Sequence, residues 1–220
     1  MDSVKDLSQE QVEEFRVFEK EGLMDKYVKI HGCYDQVMTA IGFNDPLECA
    51  KGIQLLGLDP ATAIVDVGCG TGFVGEHLNK MGFTNIVGID ASAEMLEEAK
   101  AKNVYSELIE RFLCQPEGLP EELKNRFDAV TGSGVLFSGH FGPELFDDML
   151  DLLKSGGYAV FTTREDLLTS TGYQKKMDKL SEEGKWEFVS KSEFVKYHNC
   201  EEIKLAGYTP MTGKCFVYKK

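Results

Sequence analysis

The sequence predicts an α/β fold in which a doubly wound, mostly parallel sheet carries helices on both faces and ends in an antiparallel C-terminal strand. Three observations lead there. Short apolar runs alternate with amphipathic stretches from residue 60 to residue 164, and the links between them are brief. Strand–helix alternation of that kind implies right-handed crossovers and a parallel sheet. The first apolar run, Ala63-Ile-Val-Asp-Val67, closes on Gly68-Cys-Gly-Thr-Gly72, a strand-to-helix turn built from alternate glycines.

The elements follow in chain order. Residues 8–30 place Val12, Phe15, Val17, Phe18, Leu23, Tyr27 and Ile30 at helical spacing and read as one or two amphipathic helices. Asp45-Pro46 opens a helix over Leu47–Leu56, because proline is tolerated at a first helical position. After the strand at Ala63–Val67 comes a helix over Phe73–Met81. Asn85–Ile89 is the second strand, ending at Asp90. Ser92 caps the next helix, whose early Glu94 and late Lys100 and Lys102 suit the helix dipole. Leu108–Cys114 and Phe127–Thr131 are the third and fourth strands. Pro143–Lys154 is an amphipathic helix stopped by Ser155-Gly-Gly157, and Tyr158–Thr163 is the fifth strand. Beyond Arg164 the rhythm changes to a helix over Tyr173–Glu183 and strands at Trp186–Val189 and Lys214–Tyr218. No repeat or linker interrupts the chain, which reads as a single Rossmann-like domain over 1–220. Residues 1–58 form an N-terminal helical cap, 60–164 the core, and 165–220 the side on which a second reactant is received.

Composition narrows the function. With 42% hydrophobic residues among 220, the chain has apolar surface for a core, which excludes disorder throughout. Lys and Arg number 24 against 37 Asp and Glu, a net charge of −13 that repels a phosphate backbone unless cations cluster. Only short pairs such as Lys175-Lys176 and Lys219-Lys220 do so, and nucleic acid is not an expected partner. No apolar stretch reaches the roughly 18 residues that span a bilayer, so no membrane partner is expected. The N-terminus lacks the apolar region of a secretory signal. The six cysteines form no CxxC pair, so the expectation is no metal, no disulfide framework and free thiols in a reducing cytoplasm.

The informative segment is Asp66-Val-Gly68-Cys-Gly70-Thr-Gly72. Glycines at a strand end let the backbone turn sharply and approach a ligand, with the following helix aiming its N–H groups at it. Asp90, at the end of the next strand, can accept both ribose hydroxyls of an adenosine-containing cofactor. Two registers compete. Gly70-Thr-Gly-Phe-Val-Gly75 fits the dinucleotide fingerprint and would make a nicotinamide-dependent oxidoreductase. In that register Asp66 would face a pyrophosphate, which is electrostatically wrong. Beside the amino group and sulfonium of S-adenosylmethionine the same acid is favourable.

At these residues the chain resembles the class I S-adenosylmethionine-dependent methyltransferases. The resemblance rests on Val65-Asp-Val-Gly-Cys-Gly-Thr-Gly72, Val87-Gly-Ile-Asp-Ala-Ser92, Phe127-Asp-Ala-Val130 and Leu152-Leu-Lys-Ser-Gly-Gly157. A narrower similarity, to methyltransferase-like proteins of the Williams–Beuren region, rests on Tyr34-Asp-Gln, Ser92-Ala-Glu-Met-Leu96, Thr162-Thr-Arg164 and Gly184-Lys-Trp-Glu187. The resemblance implies S-adenosylmethionine as cofactor and S-adenosylhomocysteine as product. It implies that Gly68, Cys69, Gly70, Thr71 and Gly72 form the cofactor loop, with Asp66 at the amino group and Asp90 at the ribose. Ala91 and Ser92 would line the adenine pocket, and Gln115 would stand where the family often has an acid that accepts the adenine amino group. Pro116, lacking an N–H, departs from the pattern and removes a second adenine contact. Ser133 and Gly134 follow the fourth strand, where the family places the reacting methyl group. The chain lacks the Asn-Pro-Pro-Tyr tetrapeptide of amino-methylating enzymes and the acid run of metal-assisted ones, which points to a small-molecule acceptor.

Methyl transfer from a sulfonium to O, N or S is an in-line displacement, so alignment matters most, and a base serves where the acceptor carries a proton. His140, on a loop past the fourth strand, is the candidate base or else an exposed loop histidine. Arg164 either holds an acidic acceptor or pairs with Glu165. Tyr34 either closes over the cofactor or packs. His77 is expected to face solvent, and Phe137, Phe141, Phe146 and Met149 to form core or pocket wall. A non-catalytic S-adenosylmethionine-binding regulator is a further reading of the same motifs.

Overall fold

A computed structural model of the chain describes residues 22–137, 139–199 and 211–220. The amphipathic stretch before Gly22, together with Cys200, lies outside the described residues. Helix α1, Leu23–Ala40, runs ten residues beyond the stretch expected to be helical and carries Tyr34 on it. Helix α2, Asp45–Gln54, starts with Pro46 in its first turn, as its sequence predicts.

The Rossmann-like core then unfolds in the expected order. Strand β1 (Ile64–Val67) leads through the glycine loop to α3 (Phe73–Lys80), then β2 (Ile86–Asp90) to α4 (Ala93–Ala101). Ser92 Oγ accepts the Met95 N–H at 3.2 Å, the cap expected of it. Strands β3 (Glu107–Glu110) and β4 (Phe127–Gly132) follow, then α5 (Leu145–Leu152) and β5 (Leu153–Arg164). The chain finishes with α6 (Glu165–Ser170), α7 (Tyr173–Glu182), β6 (Glu187–Val195) and β7 (Thr212–Lys219).

The seven strands lie in the order β3-β2-β1-β4-β5-β7-β6. Strands β1 to β5 pair in parallel, and β7 runs antiparallel between β5 and β6. The antiparallel C-terminal strand predicted from sequence is thus an inner strand, with β6 outside it. Because side chains alternate across a strand, the two faces bury different sets. Ile64, Ile86, Ala129, Val160 and Val217 meet α2 and α3 through Ile53, Val74 and Leu78. Val65, Val87, Val130, Phe161 and Tyr218 meet α5, α6 and α7 through Phe146, Leu168 and Met177. Helix α1 packs through Ile30, Cys33 and Val37 on Met95 of α4.

Three differences from the sequence reading bear on the site. Strand β3 ends at Glu110 and not at Cys114. The apolar Phe112 and Leu113 continue the strand-like pattern, but the ladder with β2 stops opposite Asp90. Strand β5 begins at Leu153, at the end of α5, with a register shift opposite Phe127–Ala129. The short helix α6 has no counterpart among the expected elements, since six residues are too few to show helical periodicity.

Candidate functional site

The glycine loop is held open by its own backbone. Gly70 adopts φ +53°, a left-handed conformation, and a Cβ built on it meets no atom within 4 Å. It borders a cavity of about 430 Å³, within the usual range for small-molecule sites. Gly68, with φ +63°, borders the same cavity, but there a Cβ would lie 2.4 Å from Val135 Cγ1. One glycine therefore leaves open space on the cavity, and the other is required for packing on the β4–α5 loop.

Asp90 stands at the end of β2 in the cavity wall. Its Oδ2 accepts the Gly70 N–H at 2.8 Å and its Oδ1 the Ser92 N–H at 2.9 Å. Each oxygen keeps a further lone pair for a ligand hydroxyl. Burial raises its pKa above the usual carboxylate value, opposed by those backbone N–H groups. Ala91 also borders the cavity, whereas Ser92 is buried as a helix cap and donates its Oγ–H to Glu94 at 3.0 Å.

The early end of β3 changes the next wall. Arg111, Phe112 and Leu113 face the cavity, while Gln115 is exposed, donates its amide N–H to the Leu113 carbonyl at 3.1 Å and does not border it. Phe112 is 55% exposed and follows Arg111, whose N–H bonds the Asp90 carbonyl at 2.8 Å. Residues two past Asp90's partner strand would have been found had the strand been ended by its ladder and not by its hydrophobicity.

Asp66 is 1% exposed and lies under the loop, outside the cavity wall. Its oxygens accept the Tyr105 O–H and the Thr131 O–H, each at 2.8 Å. Thr131 is its register partner on β4, which explains the second bond. Burial pushes the Asp66 pKa up to about 7 despite these donors. Cys69 is buried, and its thiol pKa is driven well above the ordinary value by the same loss of solvent, so it is no nucleophile. The hydroxyls of Thr71 and Ser133 are buried without a hydrogen-bond partner, and Ser133 borders the cavity. An orphaned donor there, Asp90 in the same cavity wall and open space over Gly70 fit a polar adenosine-type ligand.

The opposite wall joins two distant segments. Tyr27 and Tyr34, seven residues apart and so on one face of α1, line the cavity with His140 and Phe141 from the β4–α5 loop. Tyr27 Oη and His140 Nε2 are hydrogen-bonded at 3.0 Å, their rings edge to face at 5.6 Å. Burial, then the nearby Lys196 charge, lower the His140 pKa to about 4, so the ring is neutral at pH 7. Phe146 and Met149 are fully buried core, and Phe137 packs beside His140 with ring centroids 5.5 Å apart. Tyr27 escaped the sequence reading, although its spacing from Tyr34 was a usable signal.

Arg164 does not border the cavity. Its guanidinium grips Asp166, with Nε–H donating to Oδ1 at 2.9 Å, and not the expected Glu165, which pairs with Lys214. Arg164 precedes the first turn of α6, where the Asp166 side chain turns back toward it. His77 is half-buried, not solvent-facing, and burial lowers its pKa.

A buried ion pair also escaped the sequence reading. Lys196 meets Asp45 Oδ1 at 2.5 Å, and the Thr162 hydroxyl donates to the same oxygen at 3.1 Å. Thr162 in turn accepts the Gly134 N–H at 3.3 Å, which anchors the loop lining the cavity. The separation of 151 positions between Asp45 and Lys196 leaves no local pattern to read.

Comparisons with known proteins agree with this geometry. A methyltransferase domain family matches residues 64–157. Human methyltransferase-like protein 27 is 32% identical over 185 residues, covering 78% of this chain and 74% of its own. The mitochondrial ubiquinone biosynthesis O-methyltransferase of Candida albicans is 33% identical over 110 residues, 48% of this chain and 33% of its own. A crystal structure of magnesium protoporphyrin IX methyltransferase from Synechocystis PCC 6803, with bound S-adenosylhomocysteine, shares the fold at 14% identity. Its TM-score is 0.61 over 96% of this chain and 99% of that one. The chain belongs to the S-adenosylmethionine-dependent methyltransferases, and S-adenosylmethionine is its cofactor.

Proposed function

We propose that this methyltransferase acts on a small-molecule acceptor received between Tyr27, Tyr34 and the His140 loop, with Asp90, Gly70 and Ser133 holding the cofactor. The observation that carries the reading is the hydrogen bond between Tyr27 on α1 and His140, which joins α1 to the β4–α5 loop in the cavity wall. A macromolecular acceptor would have to part that contact, whereas a metabolite fits behind it. The net charge of −13 further disfavours a nucleic-acid acceptor.

In this reading Asp90 accepts the ribose hydroxyls through the lone pairs left free by Gly70 and Ser92. Phe112 offers an exposed ring face for the adenine, in place of the contact expected from Gln115. When bound, the cofactor supplies a methyl group on a positively charged sulfur, displaced in line by the acceptor's O, N or S atom. Tyr27, Tyr34 and Phe141 exclude water and align the acceptor, the term that supplies about 7–11 kcal/mol in well-oriented reactions. His140 can take a proton because its ring is neutral, but a pKa near 4 makes it a weak base. Its main role is therefore to hold Tyr27 and shape the wall. The five described cysteines are free thiols, which supports a reducing, cytoplasmic setting.

Incubating the enzyme with methyl-labelled S-adenosylmethionine and a metabolite panel, beside panels of RNA and protein, tests the proposal. Label transferred to a compound of metabolite size supports it. Transfer only to RNA or protein contradicts it.

A further inference from the structure

The three glycines of the loop leave its shape underdetermined, and something must set it. One side chain outside the motif touches it from below. Tyr105, in the link between α4 and β3, places its ring where three glycines have no side chain. A Cβ on Gly72 would lie 2.9 Å from that ring, one on Gly75 2.4 Å, and one on Gly88 3.2 Å. These glycines come from the loop, the first turn of α3 and strand β2; at Gly88 a Cβ would also meet Leu108 at 2.8 Å and Cys69 at 2.9 Å, closer than the ring. Gly75, which completes the dinucleotide fingerprint in sequence, is thus explained by Tyr105 and not by a pyrophosphate.

The hydroxyl is equally engaged. It accepts the Gly75 N–H at 3.2 Å and donates to Asp66 Oδ2 at 2.8 Å. A directed chain results, from the first turn of α3 through the phenol to a carboxylate on β1. Asp66 Oδ1 takes the Thr131 hydroxyl from β4. We infer that Tyr105 is a positioning residue for the cofactor loop, fixing the first turn of α3 and coupling its geometry to the ionisation of Asp66.

The direction of the chain requires an Asp66 Oδ2 that carries no proton, which the ionised carboxylate guarantees. A proton on Oδ2 would present an O–H to the phenol and take away its acceptor, whereas one on Oδ1 would leave Thr131 the Val65 carbonyl at 3.4 Å. The charged or titratable groups facing Asp66 are few. Asp90 at the end of β2 raises its pKa; Cys49 on α2 and Cys69 in the loop stay protonated because burial lifts both thiols. Tyr105 itself remains a phenol, since burial beside Asp66 pushes its pKa well up. Asp66, at about 7, therefore changes state near neutrality. Its bonds from Tyr105 and Thr131 both hold its pKa down, so deleting either moves its titration to higher pH.

Calorimetric titration with S-adenosylhomocysteine across the neutral pH range tests this on the wild type, Tyr105→Phe and Thr131→Val. The wild-type affinity should weaken as pH falls through about 7. Tyr105→Phe keeps the ring in its glycine socket and removes only the hydroxyl. It should weaken binding by about tenfold at alkaline pH and move the pH midpoint upward. Thr131→Val should move the midpoint upward too, while keeping Gly75 held and the alkaline affinity within about threefold of wild type. A ring that served packing alone would leave both the affinity and the midpoint of Tyr105→Phe unchanged, and that result overturns the inference. Should Tyr105→Phe fail to fold, an unmoved midpoint in Thr131→Val overturns the coupling by itself.

Discussion

Replacing Asp90 by asparagine separates the cofactor role of this side chain from its role in the fold. The carboxylate accepts two backbone donors, Gly70 N–H on one oxygen and Ser92 N–H on the other. An asparagine amide has one oxygen, so its NH₂ group must face one of those N–H groups. A buried donor left without an acceptor destabilises by about 1–3 kcal/mol. Ligand binding loses more than geometry, because hydrogen bonds to a charged acceptor contribute about 1.5–3 kcal/mol each. Losing one such bond to the ribose raises Kd by about 10- to 150-fold, at tenfold per 1.4 kcal/mol. Calorimetric titration with S-adenosylhomocysteine reads the affinity, and urea unfolding reads the stability. The two losses should appear together. An Asp90→Asn protein with wild-type affinity would remove Asp90 from the ribose, and one with wild-type stability would refute the hydrogen-bond assignment.

Other perturbations give contrasting outcomes. Gly70→Ala adds a methyl into open space, so it should lower stability only by the roughly 1–2 kcal/mol of a left-handed alanine while sharply weakening cofactor binding. Equal losses in both would contradict the open approach at Gly70. Lys196→Met leaves Asp45 buried and unpaired and should destabilise by about 3–5 kcal/mol in urea unfolding, against a near-neutral change if the pair were solvated. The His140 pKa is depressed in the folded state, so its contribution to stability is present above the ordinary histidine value and is lost as pH falls toward about 4. The melting temperature of His140→Gln should therefore fall less than that of the wild type between pH 7 and pH 4.5, and parallel curves would contradict the buried neutral ring.

What was readable in the sequence was local. The glycine spacing, Asp66 and Asp90 lie within one βαβ unit, with Asp66 in β1 and Asp90 at the end of β2 as their patterns predict. The Ser92 cap was readable for the same reason, since its partner Met95 is three residues away. Everything that depends on packing between distant segments was not. Tyr27 meets His140 across 113 residues, Tyr105 meets Asp66 across 39, and Lys196 meets Asp45 across 151. Asp66 shows the limit most clearly. Its position in the motif suggested a cationic ligand group, yet its register partner Thr131 and the reach of Tyr105 occupy both oxygens. The wall after β3 was misplaced because apolar Phe112 and Leu113 extend the strand's pattern past the point where its hydrogen bonds stop.

The central claim is that the cavity bordered by Gly70, Asp90 and Ser133 is an S-adenosylmethionine site serving methyl transfer. Titrating the wild-type protein in parallel with S-adenosylmethionine, S-adenosylhomocysteine and NADH tests it most directly. One-site binding of the first two, lost in Asp90→Asn, with no response to NADH, is the predicted result. No heat with either adenosyl compound, or saturable binding of NADH in their place, would contradict it.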